Sequence, residues 1–137
     1  MAGRVLVDTS ALLALAHRRD QHHLRAVAIG RRHLAAGGRF VGTMLVLAEL
    51  HAHLLFRRGP QEARTVVGAL LDDPAYEWVD VSTALVRAAA SAWLERFGDQ
   101  RFTLADAVSF EVMRRQRLGT AFAFDEDFRT AGFDLLH

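Results

Sequence analysis

Three observations predict an α/β fold built on a parallel sheet. Short apolar runs alternate with longer helical stretches along the whole 137-residue chain, the pattern of strands joined by crossover helices. The first run, Val5-Leu6-Val7, is apolar without interruption, as a central strand covered on both faces requires. Two of the runs lead into a carboxylate, Asp8 and Asp125, at the strand ends where open α/β sheets form ligand crevices. The length suits one domain over residues 1–137.

The elements follow in order. Strand one covers residues 4–8, and a helix is expected over 9–17. Asp20 is placed to cap a second helix, which runs to Ala36 and stops at Gly37-Gly38. Residues 39–42 form the second strand. Thr43 opens a long helix through Phe56. Gly59-Pro60 breaks it, and Pro60 suits the first turn of the next helix, which ends near Leu71. Asp72-Asp73-Pro74 makes a turn. Residues 76–81 alternate as a strand does. Ser82 caps a helix to Phe97, with Gly98 as its stop. Thr103 opens another, ending at Leu118-Gly119. Residues 120–124 form a strand closed by Asp125, and 133–136 a last short one.

Composition removes several kinds of chemistry. At 51% hydrophobic the chain can fill a core. It has no cysteine, so disulfides, thiolate metal sites and cysteine nucleophiles are excluded. No run approaches the roughly 20 apolar residues of a membrane span, and the apolar run before Asp8 is too short for a signal-peptide core. A soluble, cytoplasmic protein is expected. The net charge is +1, and every basic residue is Arg. Any mechanism that needs a lysine is therefore out.

Four carboxylates stand where carboxylates are costly. Asp8 ends the first strand. Glu49 interrupts the apolar helical run 44–50. Asp106 sits among small apolar residues near a helix start, and Asp125 follows Ala121-Phe122-Ala123-Phe124. If the first and fourth strands are neighbours, Asp8 and Asp125 converge on one crevice. Converging acids raise one another's pKa, and a hard divalent cation relieves the conflict. An all-oxygen ligand set favours Mg²⁺ or Mn²⁺ over zinc. Such a site holds phosphate oxygens and activates water. Each acid also has a plain structural use. Asp106 has capping-box spacing from Thr103. Glu49 can pair with His53 or Arg57 along its helix. Asp125 can cap the turn 126–128, and Asp8 the helix after it. Four coincidences together favour a site.

These residues resemble the PIN-domain ribonucleases, and among them the VapC-like toxins of toxin–antitoxin pairs. Val7-Asp8-Thr9-Ser10-Ala11-Leu12 is similar to the family's opening motif. Glu49 matches its second acid. Thr103-Leu104-Ala105-Asp106-Ala107 looks like the motif around the third. Phe124-Asp125-Glu126-Asp127-Phe128, with Gly132-Phe133, resembles the closing motif. The resemblance spans nearly the whole chain. It implies a three-layer α/β/α fold and Mg²⁺- or Mn²⁺-dependent endonucleolytic cleavage of RNA. It implies Asp8 and Asp106 as main metal ligands, completed by Glu49 and Asp125. Thr9, Ser10 and Thr103 would be supporting polar groups, and Asp127 a less constant fifth acid. A homodimer and a cognate antitoxin lying across the groove are implied as well.

An acidic pocket repels RNA, so nearby cations must hold its phosphates. Arg57 and Arg58 lie two turns past Glu49, and Arg114 and Arg115 two turns past Asp106. These four are the expected groove cations. Leu54 to Phe56 is the expected apolar contact for a partner. A haloacid dehalogenase-type phosphatase would need Asp-x-Asp where Ser10 stands, and a phosphorelay receiver a late lysine. A metal-dependent adhesion motif fails at Leu12. A histidine metal site fails because His51 and His53 diverge on their helix. The competing function is a non-catalytic RNA- or protein-binding module of the same fold.

Overall fold

The computed structural model describes residues 2–137; Met1, the first residue of the expected domain, lies outside them. The strands are β1 (Arg4–Val7), β2 (Arg39–Thr43), β3 (Tyr76–Val79), β4 (Thr120–Phe122) and β5 (Asp134–Leu135). They form one sheet in the order β3-β2-β1-β4-β5, and every pairing is parallel. From central β1 the chain steps outward to β2 and β3. It then crosses back to β4 and β5 on the other side. The direction of travel therefore switches between β1 and β4, and a crevice opens above their carboxyl ends.

Alternation of side chains fills both faces of the sheet. Val5, Val7, Phe40 and Phe122 face one core with α1 (Thr9–Ala16), α2 (His23–Ala35), α3 (Met44–Arg58) and α4 (Pro60–Asp72). Leu6, Val41 and Ala121 face the other with α5 (Thr83–Ala89), α6 (Leu104–Gln116) and α7 (Asp127–Thr130). The result is the expected three-layer α/β/α architecture. Gly59, at φ +90°, makes the corner between α3 and α4, and Pro60 opens α4.

Several boundaries differ from expectation, each for a local reason. Asp20 does not cap α2. Its carboxylate accepts from the His22 N–H at 2.8 Å, inside the preceding turn, and the helix starts at His23. The helix after Ser82 is not one α-helix to Phe97. It continues from α5 as a π-helical turn, Ala90–Glu95, which sets Trp93 against Phe110 and Phe133 in the core. β3 ends at Val79 rather than at residue 81, where its pairing with β2 runs out. β4 stops at Phe122, because the Phe124 N–H leaves the ladder for the Ser10 hydroxyl. β5 is shortened to two residues.

Candidate active site at the carboxyl edge of the sheet

Asp8 leaves β1 with extended backbone (φ −101°, ψ 162°) and is the N-cap of α1. One oxygen, Oδ2, accepts from the Ser10 amide at 3.3 Å and from the Ser10 hydroxyl at 2.8 Å. The same hydroxyl accepts from the Phe124 N–H at 3.0 Å. Ser10 thus ties the end of β1 to the chain leaving β4. Thr9 reaches the other way: its hydroxyl donates to Glu49 Oε1 at 3.2 Å, which fixes Glu49 on α3 beside the end of β1.

Asp106 approaches from α6. Its Oδ2 accepts from the Thr103 N–H at 2.9 Å, and its own N–H donates to the Thr103 hydroxyl at 3.0 Å, closing a capping box. The capping use foreseen from spacing is real, and the same carboxylate stands near enough for its charge to act on Asp8. Asp125 lies in the turn after β4, three residues past the last strand residue. Its Oδ1 accepts from the Asp127 N–H at 3.1 Å, so it also organises its turn.

The charges of these acids interact. Burial raises the pKa of Asp8, the charge of Asp106 raises it further, and the Ser10 hydrogen bonds oppose the rise. Burial pushes Asp106 up to about 6; the Thr103 bonds offset part of this, while Asp125 and Asp127 add to it. Burial pushes Asp125 up to about 7, helped by the charge of Asp8 and a shared hydrogen bond with it. Three carboxylates from β1, α6 and the β4–α7 turn therefore form one electrostatic unit, each raised above the ordinary carboxylate range.

The donor set suits a hard cation. Each of Asp8, Asp106, Asp125 and Glu49 has one oxygen held by a chain donor. Beyond these bonds and the one shared between Asp8 and Asp125, oxygen lone pairs remain for a cation. Those residues contain no group of three or more His, Asp or Glu already close enough to cage an ion. Mg²⁺ does not require such a cage: it keeps several waters and binds through one or two carboxylates. Asp8 and Asp106, the two most buried of the four, fit that requirement.

The Arg pairs are divided by the fold. Arg57 lines an open groove of about 550 Å³ with Glu49, Ala52, His53 and Phe56, all on one face of α3. Arg58 turns away and pairs with Glu62 at 2.8 Å. Arg114 and Arg115 are not brought to the groove of Glu49 and Arg57. Their side chains bind Glu111 at 2.6 and 2.8 Å. The α6 end that carries them lies at the amino edge of the sheet, where Arg4 of β1 meets Gln116. Helix α6 runs antiparallel to the strands, so two turns past Asp106 lead away from the crevice. The expected apolar contact divides too: Leu54 is buried, whereas Phe56 is 94% exposed.

Glu111 was not anticipated as a special residue. Its side chain is 2% exposed, and Arg114, Arg115 and the Trp93 indole hold its pKa down to about 2. The signal was present as an acid three and four residues before two arginines. Also unforeseen is the stacking of His22 on Phe124, beside Asp125, at 4.5 Å and 4°.

Comparison with known proteins agrees with this architecture. The PIN-domain family model matches residues 5–134. Over 130 residues the chain is 35% identical to the 23S rRNA-specific endonuclease VapC20 of Mycobacterium tuberculosis, covering 94% of this chain and 95% of that one. The crystal structure of that protein, a sarcin–ricin loop cleaving toxin, superposes with a TM-score of 0.82 at 31% identity, with 94% and 95% coverage. The Rickettsia felis VapBC2 structure, bound to a promoter DNA fragment, shares the fold at TM-score 0.68 and 14% identity, with 96% of each chain covered. FitAcB of Neisseria gonorrhoeae does so at 0.66 and 16%, with 97% and 96% covered. The chain is a VapC-like member of the PIN-domain family.

Proposed function

We propose that this chain is an Mg²⁺- or Mn²⁺-dependent endoribonuclease and the toxin of a toxin–antitoxin pair. The observation that carries the reading is the charge-coupled set Asp8, Asp106 and Asp125 at the switch point of the sheet. Likeness to VapC20 over almost the full chain supports the substrate class.

Asp8 and Asp106 would hold the cation, with Glu49 and Asp125 completing the acidic set directly or through water. A bound divalent cation polarises a phosphoryl oxygen and lowers the pKa of water. The chain's own part is positioning. Ser10 locks Asp8, Thr103 locks Asp106, Thr9 locks Glu49, and the Asp127 amide locks Asp125. Fixed carboxylates need little reorganisation when charge develops on the phosphate. Arg57, in the groove with Glu49, is the cation proposed to meet the RNA backbone. Exposed Phe56 beside it suits a partner contact, and the antitoxin and a homodimer remain part of the proposal.

The test is cleavage of total RNA, and of a 23S rRNA sarcin–ricin loop oligonucleotide, by the purified chain freed of any partner. Mg²⁺, Mn²⁺ and EDTA are compared, beside a folded Asp106→Asn variant. Fragments that need both cation and Asp106 are expected. No cleavage, together with no shift in melting temperature on adding cation, would support the non-catalytic binding module instead.

A further inference from the structure

Next to the acids stands a group of side chains that the cation chemistry does not use. His22 lies flat on Phe124, with ring centroids 4.5 Å apart and planes within 4°. The Arg25 guanidinium sits 5.9 Å from the centre of the Phe124 ring. Phe124 is bonded in sequence to Asp125, and its N–H is held by Ser10, which also holds Asp8. The stack is thus fixed to the crevice by one hydroxyl. From the other side the Asp20 carboxylate holds the His22 amide at 2.8 Å. The three side chains line a small concavity of about 110 Å³ with His137, Arg129 and the Glu126 carboxylate that pairs with Arg129 at 3.3 Å. Arg25 forms no ion pair among the described residues, and His22 has no aromatic partner there besides Phe124.

Plain packing does not account for this arrangement. Arg25 is exposed and His22 is half-exposed, so neither fills the core. A flat aromatic surface with an unpaired guanidinium beside it is how single-stranded nucleic acid is gripped without sequence reading. The base stacks on the ring and the cation meets the phosphate. Arg57 lines the groove with Glu49 on α3, in the same helical layer as α2, so a second exposed cation stands near the acids.

We propose that His22, Arg25 and Phe124 form a nucleotide subsite beside the acids. A base of the RNA stacks on the His22 face turned from Phe124, and Arg25 binds the adjoining phosphate. The inference rests on the ribonuclease reading above and adds positioning residues to it. The site takes an unpaired nucleotide, so it favours RNA loops over duplex.

The test is fluorescence anisotropy of a short labelled single-stranded RNA on the full chain carrying Asp106→Asn, which blocks turnover. The further variants are His22→Ala, His22→Phe and Arg25→Ala, each checked by thermal melting. Loss of one stacked base weakens binding by about ten-fold or more. His22→Ala should show that loss with an unchanged salt slope, and His22→Phe should restore it. Arg25→Ala should lower the slope of log affinity against log salt by about 0.7 to 1. If the Asp106→Asn protein binds RNA and His22→Ala binds it equally well, the subsite is wrong and the nuclease reading stands. If His22→Phe fails as badly as His22→Ala, stacking is wrong and His22 only holds its turn. If the Asp106→Asn protein binds no RNA at all and the parent cuts none, both readings fall.

Discussion

Replacing Asp125 by asparagine should stabilise the protein wherever no divalent cation is present. The Asp125 carboxyl is pushed from 3.8 to about 7 by burial and by Asp8. The folded state therefore keeps a proton that the unfolded state has released, and stability falls as pH rises from about 4 to about 7. At about 1.4 kcal/mol per pH unit the full penalty at pH 8 is about 4 kcal/mol. Asp125 is partly exposed, so solvent screening cuts this to roughly 1–2 kcal/mol. Asparagine removes the charge and keeps the oxygen that accepts from the Asp127 amide. Thermal melting in EDTA is the assay. The parent should melt several degrees higher at pH 5.5 than at pH 8, roughly 3–5 °C per kcal/mol for a domain of this size. Asp125→Asn should melt above the parent at pH 8 and show a shallower pH profile. Mg²⁺ should raise the parent more than the variant, because a cation that binds only the folded state stabilises it by mass action. A variant that melts below the parent at pH 8 in EDTA, or whose pH profile runs parallel to it, refutes the coupling of these acids.

Thr103→Ala removes the capping box and should cost about 1 kcal/mol of stability. It also frees Asp106, so cleavage should fall further than the melting temperature implies, and Thr103→Ser should recover both. Glu111→Ala should cost about 2–3 kcal/mol, since the Trp93 indole N–H loses its partner in the core. RNA cleavage per folded molecule should be unchanged, because Glu111 lies away from the crevice. The Glu111 pKa is depressed, so its stabilisation is complete above pH 4.5 and disappears as pH falls through about 2; acid unfolding of parent and variant should converge there. Arg57→Ala should weaken RNA binding and flatten its salt dependence, whereas Arg115→Ala should change neither. Filter binding over a salt series separates the two.

That last contrast shows what a linear sequence carries and what it withholds. The acids were legible because a carboxylate in an apolar context is costly, and each of the four interrupts or ends an apolar run. The parallel sheet was legible because alternating strands and helices leave few other arrangements, and Asp8 and Asp125 needed only β1 and β4 as neighbours to meet. The arginines interrupt nothing. Their positions two turns past an acid look equivalent in Arg57 and Arg115, yet spacing along a helix says nothing of the direction in which that helix leaves the site. Helix α6 points its amino end at the crevice and carries Arg115 about 13 Å away from Asp106, at about 1.5 Å per residue. There Glu111 waits as a partner. Helix α3 instead meets the crevice midway along its length through Glu49, so the residues beyond still line one groove. His22 was hidden for a related reason. Its partner Phe124 is 102 positions later by subtraction of the two numbers, and the two rings meet only once α2 packs above the end of β4. Charge in an apolar context is a local signal, while the pairing of an exposed cation or ring depends on the whole path of the chain.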